Sequence, residues 1–358
     1  NTALNLSFQI VKSGRDINKI FYIYPFNTLV DQNIESMKKI FGDREDIMDQ
    51  IAVVNSLVPM KEEKDEYEEV AKKRYQKILL DRQFLNYPII LSTHVTLFKT
   101  LFGNEKEDVF AFYQLCNSVI VLDEIQSYKN ALWSEIITFL KSYAKLLNIK
   151  IIIMSATLPN LEMLTDHKED AVILIPQKDR YFKHPVFAER VIPDYSLLKV
   201  KMTLELLCKH VQKQALQEKK ILIEFISKKS AENFYRMIVD TVDCEVLFMS
   251  GDSSIWERQK IIEKLSHLKS VILVATQVIE AGVDIDMDIG YKDCSKLDSE
   301  EQFMGRINRS CKGEGIVYFF NMDSARIVYR DGDIRIDEDF TVLQPDMQEI
   351  LKTKSFED

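Results

Sequence analysis

Two adjacent carboxylates, Asp123 and Glu124, follow directly on an apolar run in the stretch S-V-I-V-L-D-E-I-Q, residues 118–126. An unbroken apolar run rich in β-branched residues reads as a strand buried on both faces of a parallel sheet. In open α/β sheets, ligands bind just outside the carboxyl ends of the strands. Two carboxylates at such an edge can hold a hard cation and polarise a water beside it. An acidic pair there can equally be an ordinary strand-to-helix turn. A second constellation is Q-F-M-G-R-I-N-R, with Gln302, Arg306 and Arg309. On a helix these positions, i, i+4 and i+7, share one face. Two guanidiniums on one face suit the equatorial oxygens of a transferring phosphoryl group; the plainer alternative is a basic helix face in solvent. Gly305 would permit close approach there. Between the two constellations, V-A-T-Q-V-I-E-A-G-V-D-I-D (274–286) places Gly282 and Asp284 in a loop after a strand, where they could meet a ribose or a domain partner.

Further polar residues recur where apolar runs stop: Pro25 and Thr28, Thr93 and His94, Ser155 and Thr157, Ser227, and Thr276 and Gln277. Taken singly, a Ser or Thr at such a point is usually a helix N-cap. In a doubly wound sheet all these ends share one edge, so together they could line one cleft.

The elements that must position these residues follow from hydrophobic periodicity. In the first half, strands are predicted over 20–24, 51–58, 88–91, 118–122, 149–154 and 171–175. Helices are predicted over 2–11, 28–41 and 131–147. The stretch 61–77 is dense in both charge signs and reads as a solvated helix. Residues 176–198 carry Pro176, Pro185 and Pro193 with little periodicity, as a linker would. A second series follows, with strands over 220–226, 244–249, 271–275 and an edge-like 315–320. Its helices are predicted over 203–217, 230–239, 255–265 and 298–309. Strands alternating with helices twice over imply two parallel-sheet domains in tandem. The tail from 323 is charged and weakly patterned.

The chain has 358 residues, a net charge of −9 and 46% hydrophobic content, enough for two ordinary cores. No apolar run approaches bilayer length, so no membrane association is expected. No signal peptide is visible at the start. The five cysteines are scattered without a C-x-x-C pair, which argues for a reducing compartment and against a zinc site. An acidic chain that binds nucleic acid must do so in a local groove.

D-E-I-Q at 123–126, S-A-T at 155–157, the 274–286 segment and Q-F-M-G-R-I-N-R resemble motifs II, III, V and VI of superfamily 2 helicases, in that order. Y-P-F-N-T-L-V-D-Q (24–32), L-S-T-H-V-T-L-F (91–98), V-L-D-E-I-Q-S-Y (121–128) and S-G-D-S-S-I-W-E-R (250–258) are similar to the CRISPR-associated helicase–nuclease of type I systems. The resemblance spans residues 1–325. It implies an α/β protein of two tandem RecA-like parallel-sheet domains, with the ATP site in the cleft between them. Residues 1–175 would form the first, 176–199 the linker and 200–325 the second, and 326–358 would lead towards a C-terminal domain.

The same resemblance implies an ATP-dependent single-stranded DNA translocase that uses ATP and Mg²⁺ in the prokaryotic cytoplasm. Asp123 would engage Mg²⁺ through ATP and Glu124 would activate the attacking water. Arg306 and Arg309 would be arginine fingers, with Gln302 alongside; Gly282 and Asp284 would reach the nucleotide. Gln126 stands where the more usual D-E-x-H box has His, linking ATP state to motif VI. Ser155 and Thr157 would couple hydrolysis to strand movement. Pro25, Thr28, Thr93, His94, Ser227, Thr276 and Gln277 would touch the backbone of the tracking strand, with sequence-independent, salt-sensitive binding. Implied partners are the non-target strand of an R-loop, the guide-RNA surveillance complex (Cascade), and an HD nuclease domain in cis or in trans. An RNA helicase of the same superfamily and a helicase-like scaffold without ATPase activity are the alternatives.

Two features depart from the pattern. The phosphate loop G-x-x-x-x-G-K-[ST] does not occur in the sequence; because the chain opens within a predicted helix of the kind that follows that loop, the loop is expected upstream, and this chain by itself is expected to be a weak ATPase. None of the five histidines is followed by Asp, so the His-Asp doublet of the nuclease is not encoded here.

Overall fold

A parallel strand needs hydrogen-bonding neighbours on the sheet and a helical crossover to reach the next strand, so helices come to cover both faces. The computed structural model has this architecture twice. It describes residues 2–14, 16–54, 77–128, 132–155, 171–177, 180–181, 184–280, 283–324 and 338–355. The chain divides into two compact units, 1–171 and 172–358.

In the first unit, β1 (Lys19–Tyr24), β2 (Ile51–Val54), β3 (Ile89–Thr93), β4 (Ser118–Leu122) and β5 (Lys150–Ile153) form a sheet of order β2-β3-β1-β4-β5. Every pairing is parallel. Side chains alternate between the faces, as the period of a strand requires. Ile20, Tyr22 and Tyr24 join Val119 and Val121 under α1 (Thr2–Ser13) and α2 (Asn27–Phe41). Phe21 and Ile23 join Ile120 and Leu122 on the other face, against α3 (His94–Phe102), α4 (Lys106–Tyr113) and α5 (Trp133–Leu146).

In the second unit, β6 (Val191–Asp194), β7 (Lys220–Glu224), β8 (Glu245–Met249), β9 (Val271–Ala275), β10 (Ile289–Asp293) and β11 (Gly315–Phe320) run in the order β6-β11-β10-β7-β9-β8, again all parallel. One face packs on α6 (Leu204–Ala215) and α7 (Lys228–Ile238) through Leu207, Val211, Phe234 and Ile238. The other packs on α8 (Ile255–His267), α9 (Leu297–Met304) and α10 (Pro345–Thr353) through Leu265, Phe303 and Leu351. Ser254 caps α8 with a reciprocal box: its hydroxyl accepts from Glu257 N while the Glu257 carboxylate accepts from Ser254 N.

Several expectations are corrected. Residues 171–175 are not a strand; Val172 and Ile173 are 83% and 69% exposed. β-propensity yields a strand only where a neighbour offers its backbone groups, and among the described residues no ladder reaches this stretch. Residues 315–320 are an inner strand, because β6 pairs outside them. β6 itself lies within 176–199, the stretch that reads as a linker. α9 stops at Met304 rather than running to 309, since Ile307 is drawn into a bridge with Met287. The charged tail includes α10 and the buried Val342 and Leu351, both without exposed surface. The predicted helix over 61–77 lies outside the described residues except for Lys77. Among the described residues, no helix is long and apolar enough to cross a membrane.

β10 has no counterpart in the sequence prediction, and its Gly290 serves close packing. A Cβ there would lie 2.7 Å from Phe303 Cε1, 3.0 Å from Val317 Cγ2 and 3.1 Å from Ile307 Cγ1. Gly290→Ala is therefore expected to destabilise the second unit by about 1–3 kcal/mol through overpacking. The check is the urea midpoint at constant m; an unchanged midpoint would mean that the α9 side chains retreat without cost.

Candidate active site

In the first unit, β4 is buried at every position and ends at Leu122, so Asp123 and Glu124 stand at its carboxyl end as predicted. Asp123 N donates to Ile23 O at 2.9 Å, keeping the residue in line with the sheet. Glu124 then leaves it through a left-handed backbone (φ 50, ψ 48), which is rare for a side chain of this size and costs on the order of 1 kcal/mol or more. Glu124 N donates to Asp123 Oδ1 at 3.0 Å.

The Glu124 carboxylate accepts from Gln126 Nε2, and Gln126 Oε1 accepts from Ser155 Oγ at 2.6 Å. The direction of this relay is forced, because an ionised carboxylate only accepts, so the amide nitrogen must face it and the amide oxygen must face the serine. Backbone bonds from Met154 N to Leu122 O and from Ile125 N to Met154 O fasten the two strand ends together. Thus Glu124, Gln126 and Ser155 form one hydrogen-bonded unit. Thr157 lies outside the described residues.

Electrostatics single out Asp123. Burial, with the Glu124 charge beside it, pushes its carboxyl up to about 6. A carboxylate held at such cost gains from a cation. Among the described residues no group of three or more His, Cys, Asp or Glu could hold a metal unaided. A divalent ion at Asp123 would therefore take most of its oxygen ligands from phosphate and water, as Mg²⁺ does. The phenol rings of Tyr22 and Tyr24 stack at 4.7 Å on β1, and burial raises both above their ordinary range.

Of the other strand-end residues here, Pro25 and Thr93 are buried. Thr93 precedes α3, its Oγ1 3.4 Å from Thr96 Oγ1. The His94 ring packs against Tyr128 at 4.8 Å and Phe98 at 6.3 Å, and burial pushes its basicity down. Thr28 is the second residue of α2, and its side chain lies outside the described residues.

In the second unit, Ser227 caps α7, accepting from Ser230 N at 3.4 Å. Gln277 Nε2 donates to Ile226 O at 3.2 Å, so Ser227, Thr276 and Gln277 meet at the adjoining ends of β7 and β9. The arginines do not share a helix face, because α9 ends before them. Arg306 folds back: Nη2 donates to Glu280 O at 2.6 Å and Nε to Ile279 O at 3.2 Å. Arg309 turns outward, its Nε 3.1 Å from Asp284 Oδ1 and its side chain 47% exposed. Arg309 N donates to Asp286 Oδ1 at 2.7 Å. Arg309 also lines a cavity of about 380 Å³ with Arg190, Glu301, Lys352 and Lys354, of which Glu301 and Lys354 pair with each other. Gln302 is half-buried near the end of α9. Gly282 lies outside the described residues.

Sequence reasoning misses the residues behind Arg306. Lys292 is wholly buried on β10 and bonds Glu224 on β7, Glu280 Oε1 at 3.1 Å and Ser299 Oγ at 3.1 Å. A signal existed in K-I-L-I-E-F-I, where an acid within a strand buried on both faces calls for a basic partner.

Two wholly parallel sheets, with polar and acidic residues gathered at the strand ends, define a RecA-like helicase fold. The profile of the DEAD/DEAH box helicase family matches residues 3–164, and that of the C-terminal region of the CRISPR-associated nuclease/helicase Cas3 matches residues 210–312. A CRISPR-associated nuclease/helicase Cas3 from Methanocaldococcus jannaschii is 25% identical over 319 residues, covering 82% of this chain and 41% of that protein. The one from Methanothermobacter thermautotrophicus is 25% identical over 256 residues, covering 65% and 28%. The structure of T. fusca Cas3 with AMPPNP superposes with a TM-score of 0.68 at 14% identity, over 99% of this chain and 50% of that one. The helicase MrfA bound to DNA and AMPPNP gives 0.56 at 14% identity, over 99% and 50%. The first unit is thus similar to DEAD/DEAH box helicases and the second to the C-terminal region of Cas3, and together they present a Cas3-like helicase core. The chain spans less than half the length of these two curated relatives.

Asp123 also yields a pH dependence. Its carboxyl titrates higher folded than unfolded, so the folded state holds the proton more tightly between about 4 and about 6. The contribution is favourable at low pH and is lost as pH rises through that window. Asp123→Asn, without added nucleotide or divalent ion, should therefore be more stable than the parent by about 1–3 kcal/mol at neutral pH and near parity in acid. Paired melting curves across pH check this, and a gap that does not vary with pH would refute the assignment. Asp293 and Glu300, pushed up to about 7 and about 8 by burial, are common to both proteins and cancel in the difference.

Proposed function

We propose that the chain is the motor of a CRISPR type I interference enzyme: an ATP-dependent translocase that unwinds DNA along a single strand. The observation that carries this reading is the Glu124–Gln126–Ser155 relay, which ties the candidate water-activating carboxylate to the end of the next strand. A turn built only for stability has no need of a directional link between an acid and a neighbouring strand terminus. A motor does, because the state of the nucleotide must be reported to the residues that grip the polymer.

In this reading Glu124 takes the proton of the attacking water, and Gln126 fixes the orientation of its carboxylate. Asp123 supplies the protein's anionic ligand to Mg²⁺, which when bound offsets phosphate charge. Arg306 and Arg309 compensate charge on the transferring phosphoryl group, with Gln302, Gly282 and Asp284 close to the nucleotide. Ser155 and Thr157 pass the change onward. Thr28, Thr93, His94, Ser227, Thr276 and Gln277, with Pro25 shaping the turn, contact the strand backbone. The substrate would be the displaced strand of an R-loop opened by a guide-RNA surveillance complex (Cascade), and degradation would fall to an HD nuclease domain in cis or in trans.

The test is DNA-stimulated ATP hydrolysis by the protein that carries this core. Glu124→Gln is expected to lower kcat by about 100-fold or more while DNA binding persists. Ser155→Ala should leave hydrolysis measurable but reduce unwinding per ATP consumed. A protein whose ATPase ignores DNA, or one indifferent to Glu124→Gln, would end this reading. Stimulation by RNA in place of DNA would transfer it to the RNA helicases.

A further inference from the structure

The Lys292 cluster accounts for more than stability. An ammonium buried without any exposed surface costs several kcal/mol unless all its donors are engaged. Here its three donors reach three elements: Glu224 on β7, Glu280 in the segment after β9, and Ser299 on α9. Ser299 Oγ in turn donates to Glu280. Apolar replacement of such clusters is often neutral or stabilising. Stability alone therefore does not call for a lysine here.

Charge narrows the role. Burial raises the Glu224 carboxyl well above its ordinary range, and burial likewise raises Glu300 to about 8. For Glu280, burial is outweighed by the Lys292 charge and by hydrogen bonds, leaving it below its ordinary value. Lys292 bonds both Glu224 and Glu280, and the bond to Glu280 is the one that leads on towards Arg306. The backbone carbonyls of Glu280 and of the preceding Ile279 both accept from the Arg306 guanidinium. One residue thus carries both ends of the linkage, with its carboxylate on the buried lysine and its carbonyl on the arginine.

We propose that Lys292 is the positioning residue for Arg306, anchoring Glu280 so that the 279–280 carbonyls present the guanidinium in one fixed direction. The kinetic consequence rests on the ATP-hydrolysing reading given above, whereas the geometric consequence does not.

The experiment compares the parent, Lys292→Met, and the charge-free triple variant Lys292→Met/Glu224→Gln/Glu280→Gln. Two readouts are taken: steady-state ATP turnover with single-stranded DNA, and hydrogen exchange of the Arg306 Nε–H by ¹⁵N NMR without nucleotide. Lys292→Met is expected to melt lower, because it leaves the buried carboxylates without their counter-ion. The triple variant should regain the parental Tm yet keep a kcat about 100-fold down, with KM for ATP within about threefold. Its Arg306 Nε–H should exchange freely. Recovery of kcat together with Tm would reduce the cluster to a structural role and overturn the proposal. If the parent shows no DNA-stimulated ATPase, the functional reading falls, and the exchange readout decides the inference alone. Protection in the parent and its loss in the triple variant support it; protection in both overturns it.

Discussion

A single buried positive charge organises the second unit. Lys292 lies on an inner strand and can be accommodated only if β7, the segment after β9 and α9 all arrive in register with it. The cost of leaving an ammonium unpaired in an apolar interior is several kcal/mol, which is a large fraction of a domain's net stability. Assembly of these elements is therefore close to all-or-none. The residues at their ends, among them Glu280 and Arg306, inherit one arrangement instead of sampling several. Gly290, two residues away on the same strand, serves the same end by letting Phe303 of α9 close on the sheet.

The first unit solves a comparable problem with dipoles. Gln126 is buried and neutral, and its amide can orient in only one sense between a carboxylate and a hydroxyl. Among the described residues, no lysine or arginine pairs with Asp123 or Glu124. Asp123 is held at a raised pKa by burial and by the Glu124 charge beside it. The second unit sets buried carboxylates around a lysine; the first sets two carboxylates side by side at a strand end. The left-handed backbone at Glu124 adds strain at the same point.

The parts of this fold that were legible in the sequence are those where burial on both faces leaves a continuous apolar signature. Val119–Leu122 and Val271–Ala275 are strands for that reason. The switch from apolar to acidic at Asp123 marked the carboxyl end of that strand, where both carboxylates stand. β10 escaped because I-G-Y-K-D carries a glycine for close packing and two ionisable residues that are buried against a partner. The chemistry that makes it a core strand is tertiary. α9 was read as too long because periodicity passed straight through Gly305, while the competing bridge from Ile307 to Met287 lies outside any local window. The relay from Gln126 to Ser155 spans 29 residues of sequence and two strands. Both residues were picked out, but their contact could not be read from spacing.

The segment that reads as a tail is mechanically part of the arginine-bearing region. Leu351 of α10 is sealed into the core that also holds Phe303 and Met304 of α9, and Lys354 grips Glu301 on that helix. α10 and α9 therefore behave as a coupled pair of struts. A load applied to the chain beyond Lys354 would be felt at α9 before it could be absorbed by any intervening loop, two residues short of Arg306. Dissection of the second unit into a minimal folding piece would have to keep this strut, and a boundary drawn at the last strand would cut through its core.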